Sequence, residues 1–323
     1  MTQAASRMPL KLGIIVVSFN VRDLLAHCLA SIQAELKRTI GVIGQVWVVD
    51  NASADGSAEM VRQEFPQVRL VACSDNLGFA QANNLAMRKM GLPDGEEAPD
   101  AVMLLNPDAE LLPGALTALL DCFRHYPRAA VIGPQLQYGD GRFQHSAFRF
   151  PSLAQVFLDF FPLHWRLTES RINGRYPRAL YRTGRPFPVD FVLGAAMLVR
   201  AKAVRQVGML DEGYFMYVEE MDWCWRMRAA GWSIYCAPSA CVIHHEGQSA
   251  RQFRERMFVA LWRSRFRFFE LYYPTSWRVA IRGVVRLGLW AESRRARRLA
   301  ACGQLSAEEL TRRLQAYWEV GSL

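Results

Sequence analysis

The first part of the chain alternates short apolar runs with stretches in which apolar residues recur at helical spacing. Leu12–Phe19, Val46–Val49, Val68–Ala72, Ala101–Leu105 and Ala129–Ile132 read as strands. Between them, Asp23–Leu36, Ser57–Glu64, Phe79–Met90 and Pro113–Tyr126 read as helices, the first with apolar positions at 24, 25, 28, 29, 32 and 36. Strands alternating with helices predict a mostly parallel sheet covered on its faces. From Pro134 to Pro188 the period is lost, and prolines, arginines and aromatics follow one another as if in long loops over the sheet. Order returns in Val189–Val199, in a helix over Glu219–Ala230, in a strand over Ser233–Cys236 and in an extended run over Ala240–His244.

Beyond residue 250 the pattern changes. Phe253, Met257, Phe258, Leu261, Trp262, Phe266, Phe269 and Tyr273 fall at helical spacing among arginines, and Pro274 ends that helix. A second basic stretch runs from Trp277 to Arg298. The net charge of +9 belongs to this tail, which holds fifteen arginines and six glutamates, whereas residues 1–250 balance 24 basic with 24 acidic side chains. The basic character is therefore a property of one surface. A solvated face, a nucleic-acid surface and a helix lying on an anionic membrane all fit such a tail. No RNA- or DNA-binding signature accompanies it, so the reading is no nucleic acid and a membrane surface.

Composition narrows the class. With 51% hydrophobic and 21% charged residues in 323, the chain is globular. Seven scattered cysteines without a C-x-x-C pair speak against a disulfide framework and for a reducing, cytoplasmic setting. No apolar run approaches the roughly 18 residues needed to span a bilayer. Leu12–Phe19 follows Arg7 and Lys11 as a signal peptide would, but it is short and lacks a small-residue cleavage site, so a buried strand is expected.

Candidate chemistry gathers where strands end. Ala101–Leu105 runs into Asn106-Pro107-Asp108, and Pro107 stops the strand by removing a ladder donor, which leaves Asp108 at its carboxyl end. Open α/β sheets bind ligands at that edge. Asp50-Asn51-Ala52-Ser53-Ala54-Asp55-Gly56-Ser57 follows the second strand, and Asp75-Asn76-Leu77-Gly78-Phe79-Ala80 the third, with Asn83 and Asn84 one turn into the next helix. Each alone could be an ordinary capped turn. Three consecutive strand ends bearing polar residues suggest a ligand face instead.

In this order, Phe19-Asn20, D-N-A-S-x-D-G-S, D-N-L-G-F-A-x-A-N and L-N-P-D resemble the family 2 glycosyltransferases, in particular their rhamnosyltransferase-like branch. Gly194-Ala195-Ala196-Met197, the stretch from Asp211-Glu212 through Phe215 to Glu219-Glu220-Met221-Asp222, and His244-His245-Glu246-Gly247-Gln248-Ser249 extend the likeness over about residues 12–250. The resemblance implies a GT-A fold, which is Rossmann-like, followed here by a basic amphipathic helical extension over 251–323. Residues 12–133 would form the nucleotide-sugar half of a 1–250 catalytic domain, and 134–250 the acceptor half. It further implies that Asp50 holds the base or ribose of the donor. Asn76, Gly78 and Asn83 would line the same pocket, with Ser18, Asn20, Ser53 and Asn106 also on the donor side. Asp108 resembles the metal-binding aspartate of the D-x-D motif, whose first position is Asn106 here, and His244 resembles the histidine that completes the site. The expected metal is Mg2+ or Mn2+, held by oxygen donors and substrate phosphates.

By the same resemblance Glu220 would be the base that deprotonates the acceptor, although the family has aspartate there; Glu219 and Asp222 stand close by as further candidates. The implied reaction is inverting transfer of a sugar such as rhamnose from a dTDP- or UDP-sugar to a glycan or lipid-linked acceptor, in building a cell-surface polysaccharide or glycolipid at the cytoplasmic face of the membrane. Two other readings are a sugar nucleotidyltransferase and a non-catalytic membrane-associated assembly protein. The former would need a glycine-rich basic loop where Ser18-Phe19-Asn20-Val21-Arg22 stands, and the latter leaves the strand-end carboxylates without a purpose.

Overall fold

The structure, a computed structural model, describes residues 8–245 and 254–323. It begins with the alternation expected from the sequence: β1 (Leu10–Ser18), α1 (Arg22–Arg38), β2 (Val42–Asp50), α2 (Ser57–Glu64), β3 (Arg69–Ala72), α3 (Gly78–Lys89) and β4 (Ala101–Leu105). The chain continues through β5 (Ala109–Leu111), α4 (Ala115–His125), β6 (Ala129–Gln137), β7 (Phe143–Gln144) and β8 (Ala147–Phe148). Three short helices follow, α5 (Leu153–Phe160), α6 (Trp165–Thr168) and α7 (Arg178–Arg182). Then come β9 (Phe187–Val189), β10 (Phe191–Val192), β11 (Ala196–Arg200), α8 (Ala201–Val207), α9 (Glu219–Ala229) and β12 (Ser233–His244). Three helices close the chain: α10 (Arg254–Tyr272), α11 (Thr275–Ala301) and α12 (Ala307–Ser322).

The main sheet has the order β3-β2-β1-β4-β11-β6-β12-β5, with β7 added to β6 and β9 to β12. β1 pairs in parallel with both β2 and β4, so Ser18 lies beside Asp50 and Val16 beside Leu105. β11 runs antiparallel between β4 and β6, placing Ala196 opposite Leu105. β12 is parallel to β6 and antiparallel to β5, with His244 opposite Ala109. The ends of β1, β2, β4 and β12 and the start of β11 therefore share one edge of a mixed, mostly parallel sheet.

Apolar side chains cover both faces. One core holds the buried faces of α1, α2 and α4: Leu25, Leu29 and Ile32 of α1, for example, pack with Met60 and Leu116. The other holds α3, α8, α9 and the C-terminal helices.

Four local expectations change. Val189–Val199 is not one strand, because β9, β10 and β11 divide it among three pairings. Ser233–Cys236 and Ala240–His244 are one strand, β12, which takes up Pro238 at an irregularity in its pairing with β6 between Ala237 and Cys241. Residues 134–188 are short elements, not bare loops; α5 is closed by a capping box in which Ser152 and Gln155 exchange hydrogen bonds. The apolar stripe of α10 does not lie open for lipid: Trp262, Phe268 and Phe269 are buried in the core beneath α9. Phe253 lies outside the described residues.

Candidate active site

On the donor side, loops after β1 and β2 interlock. The backbone N–H of Asn20 donates to Ser53 Oγ (3.0 Å), and Asn20 Oδ1 accepts from the Ala54 N–H (2.8 Å). Asp50 Oδ2 accepts from the Ser53 N–H (3.1 Å), and Asn51 Nδ2 donates to the Gly78 carbonyl (3.0 Å). That leaves Ser18 Oγ, Asp50 Oδ1 and Asn51 Oδ1 buried with no hydrogen-bond partner among the described residues. Unsatisfied buried polar atoms are uncommon. Here three such atoms gather at the ends of the adjacent strands β1 and β2.

The residues after β3 divide between pocket and scaffold. Asn76 is exposed and its Oδ1 accepts from the Gly78 N–H (2.9 Å), which starts α3. Gly78 has φ +76 and lies against the Phe215 carbonyl, where a Cβ would collide. Asn83 is buried and donates to the Phe79 carbonyl one turn back (2.9 Å). Asn84 instead clamps Leu210, donating to its carbonyl (2.8 Å) and accepting from its N–H (3.1 Å).

At the centre of the edge, Asn106, Asp108 and His244 converge. His244 Nε2 is 3.5 Å from Asp108 Oδ1 and 3.5 Å from Asn106 Nδ2, and both Asp108 and His244 are buried. His244 Nδ1 faces Gln144 Oε1 at 3.2 Å, so the amide oxygen assigns the ring proton to Nδ1 and turns the Nε2 lone pair toward the aspartate. A cation lying between Nε2 and the Asp108 carboxylate could draw on both atoms as donors. The Gln144–His244 pairing is also the arrangement in which a partner fixes the tautomer of a ligating histidine. Among the described residues no group of three or more His, Cys, Asp or Glu could hold a metal. One carboxylate, one imidazole and a nearby amide, completed by substrate phosphates, fit Mg2+ or Mn2+ better than a closed zinc site.

The acid pair stands on the same edge. The Asn106 N–H donates to the Ala195 carbonyl (2.9 Å), and the adjoining Gly194 faces the Glu220 side chain, atoms of which lie 3.6 Å from where its Cβ would be. Glu219 is buried with Oε2 unpaired, and burial, then the neighbouring Glu220, raise its carboxyl well above the ordinary range. Burial also raises Glu220, but backbone N–H groups of its own helix start and of Gly194 favour its charged form. Of the two, Glu220 is the better able to ionise, and part of its surface remains open.

Both acids follow Tyr217 (φ +70) and Val218 (φ +74), left-handed conformations that a β-branched residue adopts only under constraint. The constraint comes from two sides. The Phe215 carbonyl accepts from the Phe79 N–H (2.9 Å) on α3. From α10, Ser264 Oγ donates to the Met216 carbonyl (2.8 Å) and Arg267 Nη2 pairs with Asp211 (2.7 Å). Asp222 belongs to this scaffold: Oδ2 accepts from Arg226 Nε (2.8 Å) and Oδ1 from the Tyr272 hydroxyl (2.6 Å). Tyr272→Phe deletes one of those bonds to a buried charge. It should lower the unfolding free energy by about 1.5–3 kcal/mol in a urea titration; an unchanged midpoint would mean that Asp222 does not depend on this bond.

Residues 13–208 match the family model "Glycosyl transferase family 2". The N-acetylglucosaminyl-diphospho-decaprenol L-rhamnosyltransferase of Mycobacterium tuberculosis (strain ATCC 25618 / H37Rv) is 32% identical over 284 residues, covering 85% of this chain and 89% of that protein. The chain belongs to glycosyltransferase family 2. Among solved structures, the mannosyltransferase PcManGT from Pyrobaculum calidifontis, in complex with GDP-Man and Mn2+, superposes with TM-score 0.55 at 15% identity over 97% of this chain and 86% of that one. GalNAc-T7 with UDP, GalNAc and Mn2+ gives TM-score 0.57 at 14% identity over 83% of this chain; the match spans 49% of that chain. These likenesses place the fold in the GT-A class.

This glycosyltransferase brings Ser18, Asp50, Asn106, Asp108, His244 and Glu220 to one sheet edge. Asn20 and Ser53 bond the loops after β1 and β2 to each other, Asn76 and Asn83 bond within the start of α3, and Asp222 is held in its ion pair. Two residues at the site were not singled out from the sequence. Asn51 was visible beside Asp50 within the same motif, but Gln144 sits in the aperiodic region and carries no local signal. Glu246 to Ser249 of the last motif lie outside the described residues. A cleft of about 710 Å³ lined by Leu10, Arg128, Arg200 and Lys202 opens at the start of β1, the opposite edge, away from these carboxylates.

Proposed function

We propose that this glycosyltransferase is metal-dependent and inverting, and moves a deoxyhexose such as rhamnose from a dTDP- or UDP-sugar to a glycan or lipid-linked acceptor. The reading rests chiefly on one observation: Asp108 and His244 Nε2 meet at the carboxyl edge of the sheet, with Glu220 across Gly194. Ser18, Asp50 and Asn51 would engage the nucleoside through their unpaired atoms, with Asn20, Ser53, Asn76, Gly78 and Asn83 shaping the pocket. Asp108 and His244 would hold Mg2+ or Mn2+, which supplies charge neutralisation for the departing diphosphate. Glu220, as carboxylate, takes the proton of the acceptor hydroxyl as that oxygen bonds to the anomeric carbon and the carbon–oxygen bond to the diphosphate breaks on the far side. Attack opposite the leaving group inverts the centre. Burial and the neighbouring Glu220 favour the protonated form of Glu219, which would limit negative charge beside the base.

We further take residues 12–133 as the donor half and 134–250 as the acceptor half, with the protein working at the cytoplasmic face of an anionic membrane. The relative from Mycobacterium tuberculosis is named for a decaprenol-linked substrate, which supports a lipid-linked acceptor.

Incubation with a panel of nucleotide sugars and Mn2+ tests this. Hydrolysis or transfer from a dTDP- or UDP-deoxyhexose is expected. Pyrophosphate exchange would point to a nucleotidyltransferase instead, and inertness toward every donor would overturn the proposal.

A further inference from the structure

Helix α11 has two opposed faces. Ile281, Val285, Gly288, Leu289 and Ala296 are buried, and Gly288 lies against the Phe160 ring of α5 so closely that a Cβ would overlap it. At 3.6 residues per turn, Val279, Arg286, Leu287, Trp290, Arg294 and Arg297 fall on the other side, and all six are exposed. Val279, Leu287 and Trp290 are 65%, 51% and 56% exposed, unusual for apolar residues clustered on one helix.

The charge on this face is not neutralised among the described residues. The helix carries seven arginines and one acid, Glu292, which lies 3.7 Å from Arg295. Arg286, Arg294 and Arg297 form no ion pair among the described residues, and Arg294 instead rests over the Trp290 ring, 4.9 Å from its centroid. Tryptophan and aliphatic side chains interleaved with unpaired arginines suit the boundary between lipid headgroups and acyl chains. There apolar stems are buried while guanidinium groups reach phosphates.

We propose that this outward stripe of α11, and not the apolar side of α10, docks the enzyme on an anionic bilayer. The inference deepens the proposed membrane setting and rests on it for its purpose. Two copies could not cover each other's stripe without bringing like charges together. No described helix is long and apolar enough to cross a membrane. α5, which packs on the buried face of α11, lies within the acceptor half, so docking would hold that half beside the lipid.

The test sediments the full-length protein with phosphatidylcholine vesicles and with vesicles containing phosphatidylglycerol. Binding is expected on the anionic vesicles and to fall with salt. Arg286→Glu/Arg294→Glu/Arg297→Glu should weaken it by about a hundredfold or more, at roughly fivefold for each arginine lost. Leu287→Ser/Trp290→Ser should weaken it with the charge intact. All these side chains are exposed, so thermal melts of the variants should match the parent. Undiminished binding by both variants, equal binding to neutral vesicles, or binding of RNA or self-association without vesicle binding would overturn the proposal. Turnover on a water-soluble acceptor is measured in parallel. Variants that lose vesicles but keep turnover support docking, whereas a parent that binds vesicles yet transfers nothing refutes the catalytic reading alone.

Discussion

Replacing Glu220 with glutamine should lower the transfer rate by about two to four orders of magnitude and leave nucleotide-sugar affinity nearly unchanged. Glutamine keeps the length and shape of the side chain but cannot accept the acceptor's proton. The nucleotide pocket proposed at the ends of β1 and β2 does not use this side chain. The effect should also appear in the pH profile. Burial raises the Glu220 carboxyl above its ordinary 4.5, so the parent rate should fall tenfold per pH unit below that raised value, where the base is protonated. The variant should lose this acid limb. Buried Glu219, whose proton affinity is also raised, acts on stability in the opposite sense to that kinetic limb: its contribution is full below the unfolded carboxyl value and is lost as pH rises through the folded one. Thermal melts measured alongside separate that effect from the kinetic limb. Loss of donor affinity in Glu220→Gln, with normal turnover at saturation, would move the base elsewhere.

Asp108→Ala should reduce transfer by about a thousandfold and abolish the response to added Mn2+. A bound divalent ion contributes several kcal/mol of charge stabilisation, and each 1.36 kcal/mol is about tenfold in rate. Asp108 is the one carboxylate within 4 Å of His244 Nε2 among the described ion pairs. The substitution spares the backbone, because the residue 108 carbonyl still accepts from the His245 N–H (2.9 Å). A titration of Mn2+ by electron paramagnetic resonance, with the nucleoside diphosphate present, reads the metal directly. Full activity and an unchanged Mn2+ response in this variant would rule out the metal role.

The sequence made some parts of this molecule easier to read than others. β1, β2, β4 and the helices after them were legible because apolar runs end abruptly in polar residues, and the sheet edge gathers those ends. The insertion of antiparallel β11 between β4 and β6 was not, since a strand buried on both faces looks the same in either direction. Ser233–Cys236 and Ala240–His244 read as separate runs, but an irregular pairing carries one strand through Pro238. The bounds of α12 within the helical extension were not drawn, although Ser306 and Glu309 form a capping box, a signal present in the sequence. At the site, Asp50, Asp108 and Glu220 announce themselves as acids beside turns or helix starts. Gln144 matters only through its approach to His244, 100 residues away, and no local pattern encodes such a meeting.

The segment from Asp211 to Asp222 is gripped on one side by α3 and on the other by Ser264, Arg267 and Tyr272 of α10. The segment bearing the proposed base and the C-terminal helix are thus not interchangeable parts. A chimaera that borrows residues 1–250 from this enzyme and its ending from a relative would have to import side chains able to hold Met216, Asp211 and Asp222 as well. Within the family, the two regions should drift through evolution as partners, each change at this seam answered across it.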